Sequence, residues 1–287
     1  MSFIPVDDAV RQVQAFWDSY SESYTTKINE HMTIQCARAL HSYMELDTAK
    51  NILEIGAASG IGTLDILSRL SSKNSTKIHA TDLSPEMVKR LETRIAPLNQ
   101  KENITLSLAN AQELKGHADA SYDRYIASLV LQLTPDHNAM LQETYRVLED
   151  NGLAGFVIWG APENSGVFTL PGAMNKELDV GSRGALHPNF NLGLQLDQLK
   201  ANMKKLGFRN VVSWPFLCVV EKWSGDAFAT SQFNAHPLQK EDFGGDEAKL
   251  EEMKTKCHAK LTRLANEWLA TKQTPIGLEV YLIIARK

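Results

Sequence analysis

Asn51-Ile52-Leu53-Glu54-Ile55-Gly56-Ala57-Ala58-Ser59-Gly60-Ile61-Gly62 is the stretch that decides how this chain folds. Its first five residues read as a buried strand. Small residues follow, and Leu64, Leu67 and Leu70 then recur at helical spacing. A turn of small residues between a strand and a helix lets the backbone approach a ligand closely. The helix start also presents N–H groups that have no partner inside the helix. A turn used only for packing has the same outward form, so a second signal is needed to assign a ligand.

Working outward, strand-like and helix-like segments alternate. Lys77–Thr81 is the next strand, and Ser84-Pro85-Glu86 opens a helix with Ser84 as N-cap and Pro85 at the first helical position. Ile104–Leu108 is a third strand, and Tyr122–Leu131 contains a fourth. Thr134-Pro135 repeats the cap-then-proline start of a helix running toward Leu148. Asn151-Gly152 closes that helix, and Leu153–Trp159 is the fifth strand. Leu196–Leu206 is a helix ended by Gly207, and Val211–Val220 and Leu278–Ala285 are two more strands. This alternation implies an α/β fold, a doubly wound, mostly parallel, seven-stranded sheet covered on both faces. Helices fill the first 50 residues, so 1–48 forms an N-terminal helical lid segment before a domain over 49–287. Two insertions interrupt that domain, at about 160–194 and 224–274, and are expected to form a substrate cap. Gly160–Gly193, rich in Gly, Pro and Asn, reads as a lid or binding loop, whereas Ser224–Thr274 is mostly helical in pattern.

Composition narrows the function. Apolar residues make up 43% and charged residues 22%, enough for a sizeable core, and the net charge of −4 lacks the basic excess of a nucleic-acid binder. Cys36, Cys218 and Cys257 are widely separated, so free buried thiols are expected in place of a disulfide framework or metal site. Met1–Asp8 lacks the basic and apolar regions of a signal peptide, and no apolar run is long enough to cross a bilayer. A cytoplasmic protein is therefore expected, and the N-glycosylation patterns at Asn74 and Asn103 carry no weight.

The second signal is Asp82, at the end of the second strand. An acid there can accept hydrogen bonds from both hydroxyls of a ribose. Ser84 suits the cap of the following helix, which leaves Asp82 available for a ligand. A glycine-rich turn followed by a ribose acid implies an adenosine-containing cofactor. A dinucleotide would call for G-x-G-x-x-G with its pyrophosphate at the helix start. Here the glycines are Gly56, Gly60 and Gly62, and Glu54 stands two residues before the first. A carboxylate in that place repels a pyrophosphate and suits a ligand carrying an ammonium and a sulfonium.

On these residues the chain resembles the class I S-adenosylmethionine-dependent methyltransferases, with their Rossmann-like fold. Glu54–Gly60 is similar to that family's first motif and Thr81-Asp82-Leu83-Ser84-Pro85-Glu86-Met87 to its second. Asn110-Ala111-Gln112-Glu113-Leu114 is similar to the third, Ser121-Tyr122-Asp123 leads into the fourth strand, and Arg146–Gly152 resembles the stretch before the fifth. In style it is closest to the branch of ubiquinone and menaquinone biosynthesis methyltransferases (methyltransferase type 11), which Phe16-Trp17-Asp18-Ser19-Tyr20 followed by Tyr24 also resembles. The resemblance implies S-adenosyl-L-methionine as cofactor, S-adenosyl-L-homocysteine as product and no metal. Glu54 would hold the methionine ammonium, and Gly56, Ala57, Ser59 and Gly60 would line the turn. Asp82 would bind the ribose, with Leu83 and Met87 near adenine and Asn110 and Ala111 at the adenine edge. Ser128 and Leu129 would lie near the reacting end. Two departures stand out: Ala58 replaces the usual middle glycine, and Asn110 replaces an acid, though its amide oxygen still accepts a hydrogen bond.

Methyl transfer is a displacement at carbon, so the protein aligns acceptor, methyl and sulfur and excludes water. Where the acceptor is a hydroxyl or a protonated amine, something must also take its proton. His137, His187 and Tyr20 are the candidates. Phe16, Tyr20 and Tyr24 fall on one helical face, where they would cover the cofactor and face its sulfonium, or simply dock the helix. Lys249–Trp268 reads as a surface helix and, secondarily, a contact in a homodimer. The expected partner is a small-molecule acceptor. The rival readings are a nucleic-acid or protein methyltransferase, an NAD(P)-dependent oxidoreductase and a non-catalytic S-adenosylmethionine binder. Ser128-Leu129-Val130-Leu131-Gln132-Leu133 lacks the Asn/Asp-Pro-Pro-aromatic pattern of base-methylating enzymes, and Glu54 opposes the dinucleotide.

Overall fold

The computed structural model describes residues 6–26, 29–70, 76–98, 101–180 and 186–287. Met1–Pro5, Asn74 and the Gly184-Ala185 flank of the His187 segment lie outside them. In chain order the elements are α1 (Val6–Thr26), α2 (Asn29–His41), β1 (Asn51–Ile55), α3 (Ile61–Arg69), β2 (Lys77–Asp82), α4 (Pro85–Ile95), β3 (Ile104–Leu108) and β4 (Tyr122–Ser128). There follow α5 (His137–Val147), β5 (Leu148–Trp159), α6 (Gly166–Leu178), α7 (Phe190–Gly193), α8 (Leu196–Leu206), β6 (Arg209–Val219), α9 (Gly225–Ala235), α10 (Glu247–Lys272) and β7 (Gly277–Arg286).

The described strands form a seven-stranded sheet in the order β3-β2-β1-β4-β5-β7-β6. The β1–β2, β1–β4, β2–β3 and β4–β5 pairs are parallel, and β7 runs antiparallel to β5 from Leu153↔Arg286 to Trp159↔Val280. Central strands covered on both faces need near-continuous apolar sequence, as in Ile52-Leu53 and Tyr125-Ile126-Ala127, all at most 1% exposed. Strand order reverses between β1 and β4, and in sheets of this kind a crevice opens at that point, outside the carboxyl ends of the strands.

Helix boundaries follow capping chemistry. Ser84 caps α4 as expected, its Oγ accepting from Met87 N at 3.2 Å with Pro85 following. The buried Met87, Leu91 and Ile95 recur every four residues and form the apolar stripe of α4. At α5 the expectation fails. The cap is Asp136, whose Oδ1 accepts from Ala139 N at 3.0 Å, while Thr134 donates its hydroxyl to Leu131 O and closes the 3-10 turn Leu131–Leu133. Asn151 does take positive φ (66°), but within the β5 segment and not as the cap of α5, whose last residue is Val147. Likewise β4 stops at Ser128 because Leu129 turns to φ 61°.

Gly160–Gly193 is no open loop. Val167, Leu170, Met174 and Leu178 make an i, i+3, i+7, i+11 stripe that carries α6 through Pro171, and Leu170 and Met174 are buried. The glycines and the proline mask this pattern in the sequence.

Contacts divide the chain into two units. The first takes the described residues up to Trp159 together with Asn191–Phe216 and Val280–Lys287. Its core includes Leu53, Tyr125, Leu141, Phe156, Met203 and Ile283. The second takes Gly160–Phe190 and Leu217–Glu279, and packs α6, α9 and α10 around Leu170, Phe228, Cys257, Leu261 and Trp268. Gly225 lets α9 approach α10 closely, since a Cβ there would overlap the carbonyl of Thr262. All three cysteines are free and buried.

Candidate functional site

The parallel register sets Ile55 beside Thr81, so the turn after β1 and Asp82 at the end of β2 meet at the carboxyl edge of the sheet. Backbone bonds fix the turn: Ala57 N donates to Thr81 O at 2.9 Å and Gly60 N to Ala57 O at 2.9 Å. Gly56, Ala58 and Gly60 all take positive φ, at 65°, 50° and 88°. The glycines are required by space as well as by φ, since a Cβ on Gly56 would run into Val130 and one on Gly60 into Leu91. Ala58 bears the strain that a glycine would avoid, about 1 kcal/mol.

Asp82 organises this turn. Its Oδ2 accepts from Ala58 N at 2.9 Å and its Oδ1 from Ser84 N at 2.9 Å. Ser84 caps α4, and Asp82 ties the glycine-rich turn to the start of that helix. A carboxylate has about four lone-pair directions, so acceptor capacity remains. Burial raises the pKa of Asp82 against the lowering effect of those backbone donors, and the charge of Asp18 raises it further. Asp18 lies on α1, and its Oδ1 accepts the hydroxyl of Ser84 at 2.5 Å, which pins α1 to the start of α4.

Glu54 is 6% exposed beneath the start of α3. Thr63 Oγ1 donates to its Oε2 at 2.6 Å, and Gly62 makes room for Oε1, which would lie 2.7 Å from a Cβ there. Burial lifts the Glu54 pKa from 4.5 to about 7 despite the Thr63 bond, and Asp82 and Asp65 add repulsion. The charged neighbours acting on these two carboxylates are thus themselves acids. The helix start above them is lined with small residues: Ala57 is 4% exposed and Ser59 fully buried.

Across the switch point, β4 delivers Ser128 and Leu129. The Oγ of Ser128 is buried without a hydrogen-bond partner, and Leu129 holds its φ of 61° with its N–H on Val157 O at 2.9 Å. Asn110 Oδ1 accepts from Gln112 N at 3.0 Å, leaving one lone-pair direction, while Ala111 belongs to the core. Met87 is 1% exposed and packs in the interior, whereas Leu83 is half-buried.

The aromatic residues of α1 gather as a cluster. Tyr20 stacks on Phe16 at 5.5 Å, Trp17 meets Tyr24 edge-on at 5.7 Å, and Tyr24 donates to Thr33 Oγ1 at 3.1 Å. Sequence reasoning missed Trp17 as a member of this cluster, and it missed Asp18 as the latch to Ser84. His137 is the first residue of α5, beside its cap Asp136. His187 lies in the second unit, beside the ring of Phe168 at 5.9 Å, and its Nδ1 accepts from Asn189 N at 3.3 Å. Burial lowers its pKa. The first unit thus gathers Glu54, the 56–60 turn, Asp82, Ser128 and Leu129 at one sheet edge, and His187 belongs to the other unit. No cluster with metal-ligating composition occurs among the described residues, nor any helix long and apolar enough to cross a membrane.

Known proteins bear on this geometry in three ways. The family described as a methyltransferase domain matches residues 52–152, the segment from β1 to the middle of β5. A ubiquinone/menaquinone biosynthesis C-methyltransferase UbiE from Rickettsia prowazekii is 32% identical over 103 residues, 36% of this chain and 41% of that protein. The chain therefore spans about two fifths of the length of the curated relatives it matches. Among solved structures, Haemonchus contortus phosphoethanolamine N-methyltransferase 2, in complex with phosphomonomethylethanolamine and S-adenosylhomocysteine, superposes with a TM-score of 0.56. Its identity is 16%, over 99% of this chain and 60% of that one. The [4+2]-cyclase SpnF superposes at 0.59 with 14% identity, over 97% and 96%. The fold is that of the class I methyltransferases. The seven-stranded, mostly parallel sheet agrees with the alternation of segments in the sequence, and its order sets the antiparallel β7 between β5 and β6.

Proposed function

We propose that the chain binds S-adenosylmethionine at the carboxyl edge of β1 and β2 and directs its methyl group to a small organic acceptor. One observation carries the reading: a glycine-lined helix start backed by Glu54 and Asp82, two carboxylates whose pKa values are raised by burial and, secondarily, by the charge of neighbouring acids, Asp18 among them for Asp82. Such an edge opposes the pyrophosphate of a dinucleotide and favours a nucleoside bearing positive charge. The residues fit that cofactor. Asp82 retains acceptor capacity for ribose hydroxyls, the charges acting on Glu54 are those of the acids Asp82 and Asp65, and Asn110 keeps one direction for an adenine amino group. When bound, the cofactor supplies a methyl carbon already activated by the sulfonium.

The chain's own task is then to bind, orient and keep out water. Asp18, latched to Ser84, positions α1 as the lid segment at this edge. A small acceptor is supported by the names of the relative and the neighbour, a quinone-biosynthesis enzyme and a phosphoethanolamine enzyme. The net charge of −4 agrees. Because the same fold also carries a cyclase, the test must follow the methyl group. Incubation with S-adenosyl-[methyl-³H]methionine and a panel of small amines, phenols and quinols should move label to an acceptor and yield S-adenosylhomocysteine. Tighter binding of NAD than of S-adenosylmethionine would refute the assignment. Cofactor binding without transfer to any class of acceptor would reduce the chain to a binder.

A further inference from the structure

Two of the described polar atoms that are buried without a partner follow one another closely in the chain: Ser128 Oγ and Gln132 Oε1. A buried polar atom left unpaired costs about 1–3 kcal/mol, so it persists where something other than stability requires it. Both belong to the short segment that leaves β4 at the strand-order reversal. That segment is held rigidly. Leu129 is forced to φ 61°, Leu131 is fully buried, and Leu133 N and Thr134 Oγ1 close the turn onto Val130 O and Leu131 O at 2.8 and 2.7 Å. Val130 occupies the space that a Cβ on Gly56 would need, so the turn bearing Gln132 is seated against the glycine-rich turn itself. Backbone strain and unpaired polar groups in one segment are the mark of a site built to meet a ligand.

From this we infer that Gln132 and Ser128 form an uncharged notch that positions the acceptor, and that the acceptor presents an unprotonated amine. The inference rests on the cofactor reading above. An amide oxygen can only accept a hydrogen bond, so its partner carries an N–H or O–H. Neither group of the notch is a base at neutral pH. In the cofactor reading the nearby carboxylates face the cofactor and not the acceptor, while Glu54 also accepts from Thr63, and Asp82 from Ala58 and Ser84. A hydroxyl acceptor would need its proton removed during attack. A neutral amine does not: its nitrogen lone pair forms the N–C bond as the C–S bond breaks, and that electron pair stays on sulfur. The N–H held by Gln132 stays on the product ammonium, which later loses a proton to water. Gln132 is thus a positioning residue for the lone pair.

Sinefungin is the probe, since it carries a C–NH3+ group where the cofactor carries S+–CH3, and S-adenosylhomocysteine, which lacks that group, is the control. In the wild type sinefungin should bind more tightly than the control. Gln132→Met should reduce that preference by tenfold or more, while affinity for S-adenosylhomocysteine stays within about twofold. The same variant should melt at the wild-type temperature or above it, because an unpaired polar atom is removed; a purely structural role would lower it. Gln132→His, which keeps a ring nitrogen as acceptor, should restore part of the preference. Equal loss of both ligands, or an unchanged preference, would overturn the notch. Efficient labelling of alcohols or phenols with none of amines would overturn the amine. Failure of the wild type to bind S-adenosylhomocysteine at all would instead overturn the cofactor reading.

Discussion

Glu54→Gln should make the ligand-free protein more stable, by an amount that depends on pH in a definite sense. Burial raises the Glu54 pKa from 4.5 to about 7 in the folded state. A carboxyl whose folded pKa is raised contributes stability that is complete below the unfolded value of 4.5 and is lost as pH rises through about 7. The interval corresponds to about 3 kcal/mol. Glutamine keeps an oxygen for the Thr63 hydroxyl, fills the same volume and cannot ionise. Variant and wild type should therefore coincide below pH 4.5 and diverge between pH 4.5 and about 7. By pH 8 the variant should be ahead by up to about 3 kcal/mol, on the order of 6 °C in a thermal melt. Comparing the two proteins at each pH cancels every other titrating group. A difference that is flat with pH, or a variant less stable at pH 8, would refute the claim that Glu54 is an uncompensated buried acid. The same acid should be satisfied by a cationic ligand, so at pH 6 the binding of S-adenosylmethionine should release a proton in the wild type and none in Glu54→Gln. Calorimetry in buffers of different ionisation enthalpy reads that release.

Gly60→Ala should cost about 1–3 kcal/mol in a denaturant melt, because φ is 88° and the new methyl meets Leu91; a neutral change would remove the steric account of the turn. Asp65 is 9% exposed and joins His41 (2.8 Å) and Arg69 (2.7 Å) between α2 and α3. Burial pushes its pKa up, but the bonds to His41 and Arg69 outweigh that and bring it down to about 2. Its contribution is present above the usual value of 3.8 and lost as pH falls through about 2. Asp65→Ala should therefore destabilise by about 3 kcal/mol at pH 7 and much less at pH 2, and an equal effect at both would contradict the pairing. Tyr122→Phe removes the hydroxyl shared by His79 (3.0 Å) and His117 (2.8 Å) and should cost about 1–2 kcal/mol in the same assay.

The sheet was legible because its signals are local. Strands buried on both faces must be continuously apolar, and Ser84-Pro85 is a capping sequence whatever the surroundings. Gly56 and Gly60 were legible as a tight turn between β1 and α3, though not the reasons of space, which come from Val130 and Leu91 on distant segments. The helix α6 was not legible, since its stripe is broken by Pro171 and flanked by glycines, and only packing against Trp268 and its neighbours decides it. The true cap of α5 competed with an equally good one two residues earlier; the 3-10 turn that consumes Thr134 settles the choice. Asp82 was found by position, yet its bonds to Ala58 and Ser84 could not be read, because a side chain's second role leaves no trace in spacing. Gln132 carries no motif at all and emerges only from what surrounds its oxygen.

The most direct measurement is the affinity of S-adenosylhomocysteine for wild type and Asp82→Ala, with a melt to confirm that the variant is folded. The account predicts a loss of more than tenfold in the folded variant, because ribose and turn are held by one charged group. Unchanged affinity in a folded Asp82→Ala protein would contradict it.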